Sequence, residues 1–239
     1  MTWFPSPYPD ELFYSVLCRY YLSSGIKEHY LVKKQLFGTK AGVKMATLYP
    51  NATVHAALLQ LPDGVFDERD MILRHTPFLY YTRMYPQQER EVLLDDLVQG
   101  RSKTPTHLWK TFPKDDYALR YCPSCVQEDT QIYGEPYYHV EHQIPLSSVC
   151  VLHKCRLKQI AVDNPRLALN NKFYPLGTMG TDREPDMDVT PAELQVSELV
   201  REYWRLPASI SPPACNNLYQ TLLNSGYMTI VRQNGLNID

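Results

Sequence analysis

The sequence predicts a mainly α-helical chain carrying a small β module built around cysteines and a histidine. Three observations support this. Apolar residues recur at helical spacing through the first hundred positions. Two short Cys/His pairs, Cys122-Pro-Ser-Cys125 and Cys150-Val-Leu-His153, stand twenty-four residues apart. A third periodic run, Thr190 to Leu206, places Leu194, Ser197, Val200, Arg201 and Trp204 on successive turns. The chain has 239 residues, 44% of them apolar, enough for one large core or two small ones and too apolar for disorder.

The N-terminal part reads as short helices joined by tight turns. Asp10 and Glu11 are placed to meet the positive end of a first helix that carries Leu12, Phe13, Val16, Leu17, Tyr20 and Tyr21 and stops at Gly25. A second helix is expected from Lys27 to Phe37, and a third from Thr53 to Leu61. A fourth starts at Asp67, with Asp70 three residues on, and ends near His75 before Pro77. A fifth covers Gln87 to Gln99 with Gly100 behind it. This succession is compatible with a helix-turn-helix arrangement. Between Tyr117 and Val162 helical spacing fades, and Tyr137, Tyr138, Val140 and Ile144 suggest a hairpin. Residues 164 to 188 are rich in proline and glycine and read as a linker. A last helix is expected from Asn216 to Leu223. The expected division is therefore an N-terminal helical, helix-turn-helix-like domain over 1–112, a zinc-ribbon module over 113–162, and a linker with C-terminal helices over 163–239.

Two ligand pairs, each spaced by two residues, are what a pair of knuckle turns needs to aim four side chains at one tetrahedral ion. Cys122, Cys125, Cys150 and His153 would close the sphere around a single structural Zn²⁺ and leave no position for water. Cys155 competes for the fourth place; the two-residue gap of the first pair favours His153. Cys18 lies on the apolar face of the first helix and is expected in the core, while Cys215 belongs to no motif.

His139-Val-Glu141 resembles half of the zinc-deaminase signature, yet it follows the CxxC instead of preceding it, and the proline lies inside the cysteine pair. His139 and His142 are expected at the surface or the core edge of a strand. No glycine-rich phosphate loop, nucleophile elbow or paired-carboxylate signature is present. Lys plus Arg (24) nearly balances Asp plus Glu (26), so no wholesale polycation drives binding to nucleic acid or membrane. No apolar run approaches the about eighteen residues of a membrane span, and the N-terminus lacks a secretory pattern, which predicts a cytoplasmic protein. Local basic clusters remain, at Lys33, Lys34, Lys40 and Lys44 and at Arg101, Lys103, His107 and Lys110. Of these, Lys40, Lys44, Arg101 and Lys103 are the candidate contacts to a DNA backbone. Trp3 and Phe4, stiffened by Pro5 and Pro7, either staple onto the first helix or dock into a partner.

Taken together, Phe4-Pro5-x-Pro7-Tyr8-x-x-Glu11-Leu12-x-Tyr14-Ser15, Arg120-Tyr121-Cys122-Pro123-x-Cys125, Tyr133-Gly134-Glu135, His142-Gln143-x-Pro145 and Cys150-x-x-His153 with Leu157 resemble the TniQ/TnsD family of transposon target-site selectors. The resemblance covers about residues 4 to 160. It implies a non-catalytic adaptor that binds double-stranded target DNA, or bridges a CRISPR effector complex, and recruits a TnsC-like AAA+ ATPase. It also implies zinc on Cys122, Cys125, Cys150 and His153. TnsD-like chains continue with further helical DNA-binding regions, so a chain ending at Asp239 is expected to be a fragment or a short TniQ-like form. A zinc-ribbon, helix-turn-helix transcription regulator is the second expectation, and a zinc hydrolase or deaminase a distant third.

Overall fold

A computed structural model describes residues 3–38, 52–62, 64–83, 85–101, 118–160, 171–178 and 181–209, and the backbone of 228–231 and 235–238. Its helices are α1 (Phe13–Ser24), α2 (His29–Phe37), α3 (Thr53–Leu58), α4 (Glu68–His75), α5 (Phe78–Thr82), α6 (Gln87–Val98), α7 (Pro123–Tyr133) and α8 (Pro191–Arg205). The strands are short: β1 (Arg120–Tyr121), β2 (Val149–Cys150), β3 (Cys155–Arg156), β4 (Lys158–Gln159), and a separate antiparallel hairpin of β5 (Met228–Val231) and β6 (Gly235–Ile238). β1 pairs with β4 and β2 with β3, both antiparallel. The protein is thus mainly helical with a small cysteine-bearing β module. Among the described residues no helix is long and apolar enough to cross a membrane.

Several local expectations hold for visible reasons. Asp67 caps α4 by accepting from the backbone N–H groups of Arg69 and Asp70. Thr190 and Glu193 form a reciprocal capping box at the start of α8, with Pro191 in the first turn. Cys18 is buried in the core. Gly100 follows α6 at φ 65, and an added Cβ there would meet the His55 ring at 2.5 Å.

Others need correction. α1 begins at Phe13, so Asp10 and Glu11 do not sit in its first turn. Asp10 adopts φ 56, and Glu11 forms an isolated antiparallel bridge with His139. The chain there is drawn into pairing: Leu12 N–H donates to the Tyr138 carbonyl (2.7 Å), and Val140 N–H to that of Asp10 (2.8 Å). α2 starts at His29, α3 stops at Leu58, and α5 had no anticipated counterpart. The Tyr137–Ile144 hairpin does not form, because that segment pairs with the N-terminal arm and then makes a 3-10 turn, Glu141–Gln143. α7 was unforeseen, although Pro123 at its first position and Gly134 at its left-handed C-terminus mark both ends. The expected Asn216–Leu223 helix, the 39–44 loop and Cys215 lie outside the described residues.

One apolar core runs through the described segments. Phe4, Leu12, Phe13, Leu17, Leu36, Ile72 and Phe78 from the helical part join Leu119, Tyr121, Val126, Tyr138 and Ile144 from around the β module, and Phe173, Leu176 and Trp204 from beyond it. Phe4 is buried against Phe13, Tyr20 and Phe66, the stapled arrangement, whereas Trp3 stacks on Tyr20 with half its surface exposed.

α8 joins the two halves. Its N-terminal end meets the β module through Arg156, which donates to both Glu193 carboxylate oxygens (2.5 and 3.0 Å), and through the Ser197 hydroxyl, which accepts from Val149 N–H. Its C-terminal end is held by two buried arginines. Arg83 donates to the carbonyls of Trp204, Leu206 and Pro207, and Arg90 to that of Ala208 (2.6 Å). Cations at a helix C-terminus complement its dipole.

Beneath the N-terminal arm lies a buried ionic knot. The Glu11 carboxylate is fully enclosed, accepts from Tyr8 N–H (2.9 Å) and pairs with Arg19 (2.9 Å). Burial pushes its pKa up to about 7, with Arg19 opposing the rise. The unfolded chain releases this proton near pH 4.5, while the folded chain holds it until about pH 7. Folded-state proton binding in excess means that stability falls as pH rises through that window, by up to about 3 kcal/mol. Denaturant unfolding at pH 5 and pH 7.5 should therefore show Glu11→Gln gaining on the wild type at the higher pH.

Candidate metal centre

The cysteine pairs are delivered by different local devices. Cys122 is the N-cap of α7, its sulfur accepting from Cys125 N–H (3.4 Å), so the first turn of the helix carries both thiols inward. Gln143 fixes the approach to this turn: its side-chain oxygen accepts from Arg120 N–H (2.9 Å), and its amide donates to the carbonyls of Arg120 and His139. Cys150 ends β2, and the chain turns back at Val151–Lys154 into β3, closed by Lys154 N–H donating to the Cys150 carbonyl (2.7 Å). Lys154 pays for that tightness with φ 52, a left-handed conformation that disfavours a side chain.

The ligand atoms of Cys122, Cys125, Cys150 and His153 all lie within 4.8 Å of one another. His153 Nδ1 is 3.5, 3.3 and 3.5 Å from the sulfurs of Cys122, Cys125 and Cys150. The Cys125 and Cys150 sulfurs are 3.8 Å apart. A tetrahedral ion with bonds of about 2.3 Å to sulfur and about 2.0 Å to nitrogen requires separations of about 3.8 Å between sulfurs and about 3.5 Å from sulfur to nitrogen. The donor set fits a bound ion, and the three cysteines are buried. Cys155, although fully buried, stands outside this quartet, its sulfur 3.4 Å from that of Cys122.

The surroundings orient the quartet. His153 turns Nε2 toward Glu128 (3.3 Å), which leaves Nδ1 facing the sulfurs. Hydrogen bonds from the Cys122 and Cys125 thiols, with His142 adding to them, lower the Cys150 pKa. His142 is buried and not at the surface. His139 is also largely enclosed, its Nε2–H donating to the Asp129 carboxylate (3.0 Å) and its Nδ1 lying 3.7 Å from that of Asp10. Burial opposes its protonation, but the two carboxylates outweigh this and raise its pKa to about 10. Glu141 is occupied by Arg201 (3.2 Å) and Arg205 (3.0 Å) on α8, away from the role a deaminase would give it.

Two motifs more than a hundred positions apart in sequence are physical partners. Tyr8 OH donates to Glu135 (3.1 Å), Arg19 Nε donates to the same carboxylate (2.7 Å), and the Arg19 guanidinium lies 3.7 Å over the Tyr8 ring. Tyr133 and Tyr137 pack on the other side of Tyr8. Arg19, Glu128 and Asp129 carry no motif in the sequence: Arg19 meets Glu135 across 116 positions, and Glu128 and Asp129 reach His153 and His139 only through the fold of the β module. Among the basic candidates, Lys40, Lys44 and Lys103 lie outside the described residues. Arg101 is exposed and paired with Asp96 (3.1 Å), and Lys33 is buried on α2.

The model of the TniQ family matches residues 2–157. The chain belongs to the TniQ family. It is also similar to the transposon Tn7 transposition protein TnsD of Escherichia coli, with 27% identity over 178 residues. That match covers 73% of this chain and 34% of the relative, so the chain spans about a third of the length of TnsD. The family match includes the N-terminal arm and Tyr133–Glu135, which pack on each other, and the complete Cys/His quartet.

Two outcomes follow for the centre. Chelator treatment, or Cys150→Ser, should release the bound ion and lower the melting temperature of the whole chain, read by elemental analysis and calorimetry on the same sample. Lys154→Gly should raise the stability of the metal-loaded protein by about 1 kcal/mol, since glycine adopts the left-handed conformation without steric cost.

Proposed function

We propose that this chain is a target-selection adaptor of DNA transposition, built on one structural Zn²⁺ and without a catalytic centre of its own. The observation that carries this is the TniQ match over residues 2–157, which includes every member of the Cys/His quartet. Three thiolates and one imidazole suit Zn²⁺ among the common divalent ions. Four protein donors leave no open position for an activated water, and Glu141 is held in ion pairs, so the centre serves folding and display.

In this function the chain contacts double-stranded target DNA, or a CRISPR effector complex in its place, and recruits a TnsC-like AAA+ ATPase. The similarity to TnsD supports the assignment of a transposition role. Trp3, half exposed at the edge of the core, is the arm residue suited to a protein partner, whereas the burial of Phe4 gives it a stapling role. Lys40, Lys44, Arg101 and Lys103 are assigned to DNA phosphates.

Pull-down of a TnsC-like ATPase, with and without duplex DNA, tests the adaptor. Binding to both components supports it; DNA binding with no ATPase partner would make the chain a zinc-ribbon transcription regulator instead. Charge reversal at Lys40, Lys44, Arg101 and Lys103 should weaken DNA binding and flatten the log–log salt slope by about three to four. Trp3→Ala should weaken ATPase binding with little change in melting temperature.

A further inference from the structure

The quartet is flanked by a fifth sulfur that the fourfold geometry does not use. Cys155 is fully buried, lies on β3 directly opposite Cys150, and places its Sγ 3.4 Å from that of Cys122. It therefore touches one ligand in space and another in register. His153 is the least protected member of the quartet: it sits on the exposed turn between β2 and β3, retains a quarter of its side-chain surface, and is steadied by Glu128, which is itself half exposed. The donor most readily lost is thus backed by a fully buried thiol in contact with the Cys122 sulfur.

We infer that Cys155 is a standby ligand of the metal centre, which completes a four-sulfur site when His153 is withdrawn. This rests on the proposed metal centre. In the exchange the bond from the ion to imidazole nitrogen breaks and a bond to the Cys155 sulfur forms. The thiol proton passes to solvent, and nothing is oxidised or reduced. While His153 is in place, the Cys155 thiol sits within hydrogen-bonding distance of the Cys122 sulfur and leaves the quartet intact. A thiolate is as well suited as imidazole to Zn²⁺, so the site retains its ion with either donor.

Co²⁺ substitution supplies the test, because sulfur-to-metal charge-transfer intensity scales with the number of bound thiolates. The wild type and Cys155→Ser should each bind one ion per chain with a three-thiolate spectrum. His153→Ala should keep its ion through dialysis against a weak chelator and gain about a third in charge-transfer intensity, as three thiolates become four. His153→Ala/Cys155→Ser should lose the ion under the same dialysis. A His153→Ala chain that keeps a three-thiolate spectrum, with solvent in the vacated position, overturns the inference. So does one that loses its ion, or fails to fold with excess metal even when combined with Lys154→Gly. Absence of metal from the wild type would instead bring down the metal centre itself, and the two failures are thereby distinguished.

Discussion

The β module depends on holding four ligand atoms within 4.8 Å of one another. Its strands are two residues long, too short to be stable as isolated ladders. Its two ligand-bearing turns come from chain segments twenty-eight positions apart. Three thiols and an imidazole brought this close can share a common ion, and the core beneath helps to hold them in place. Metal affinity in such a module is folding free energy. The strained backbone at Lys154 and the buried histidine beside Cys150 are tolerable because the cluster fixes their surroundings.

The module does not stand apart from the helices. α8 is fixed to it by Arg156, Ser197 and the Glu141 ion pairs, and to the N-terminal helical part by Arg83 on the Trp204 carbonyl and by Arg83 and Arg90 on carbonyls of the Leu206–Ala208 stretch that follows it. The arm preceding α1 adds a second connection through Tyr8, Glu11 and Arg19. A TniQ chain of this form presents its surfaces in a fixed mutual arrangement, which suits a protein whose proposed work is to hold two partners at once.

Sequence made the local features legible and left the distant ones hidden. The Cys/His spacing, the Asp67 cap and the Thr190 start could be read because each depends on residues within a few positions. Glu11 was misplaced on the same logic: acidic residues before an apolar run usually meet a helix dipole, but here the partner is Arg19 and the paired segment is near His139. The Tyr137–Ile144 stretch has strand-like composition, yet its partner is the N-terminal arm and not itself. In α7 one segment serves two purposes: the CxxC spacing describes a ligand pair, while its cap, its proline and the glycine eleven residues after that proline describe a helix.

The pairing of the arm has a consequence during synthesis. Pro9, Asp10, Leu12 and Ser15 all bond to groups at Tyr137 to Val140. A ribosome must therefore translate about 125 further codons after Ser15 before these four residues find those partners, and the nascent chain keeps the backbone groups of Asp10 and Leu12 waiting until then. The segment from Pro9 to Ser15 is thus made well before its pairing partner exists, and a growing chain is open to chaperones and proteases there until the Tyr137–Val140 stretch emerges.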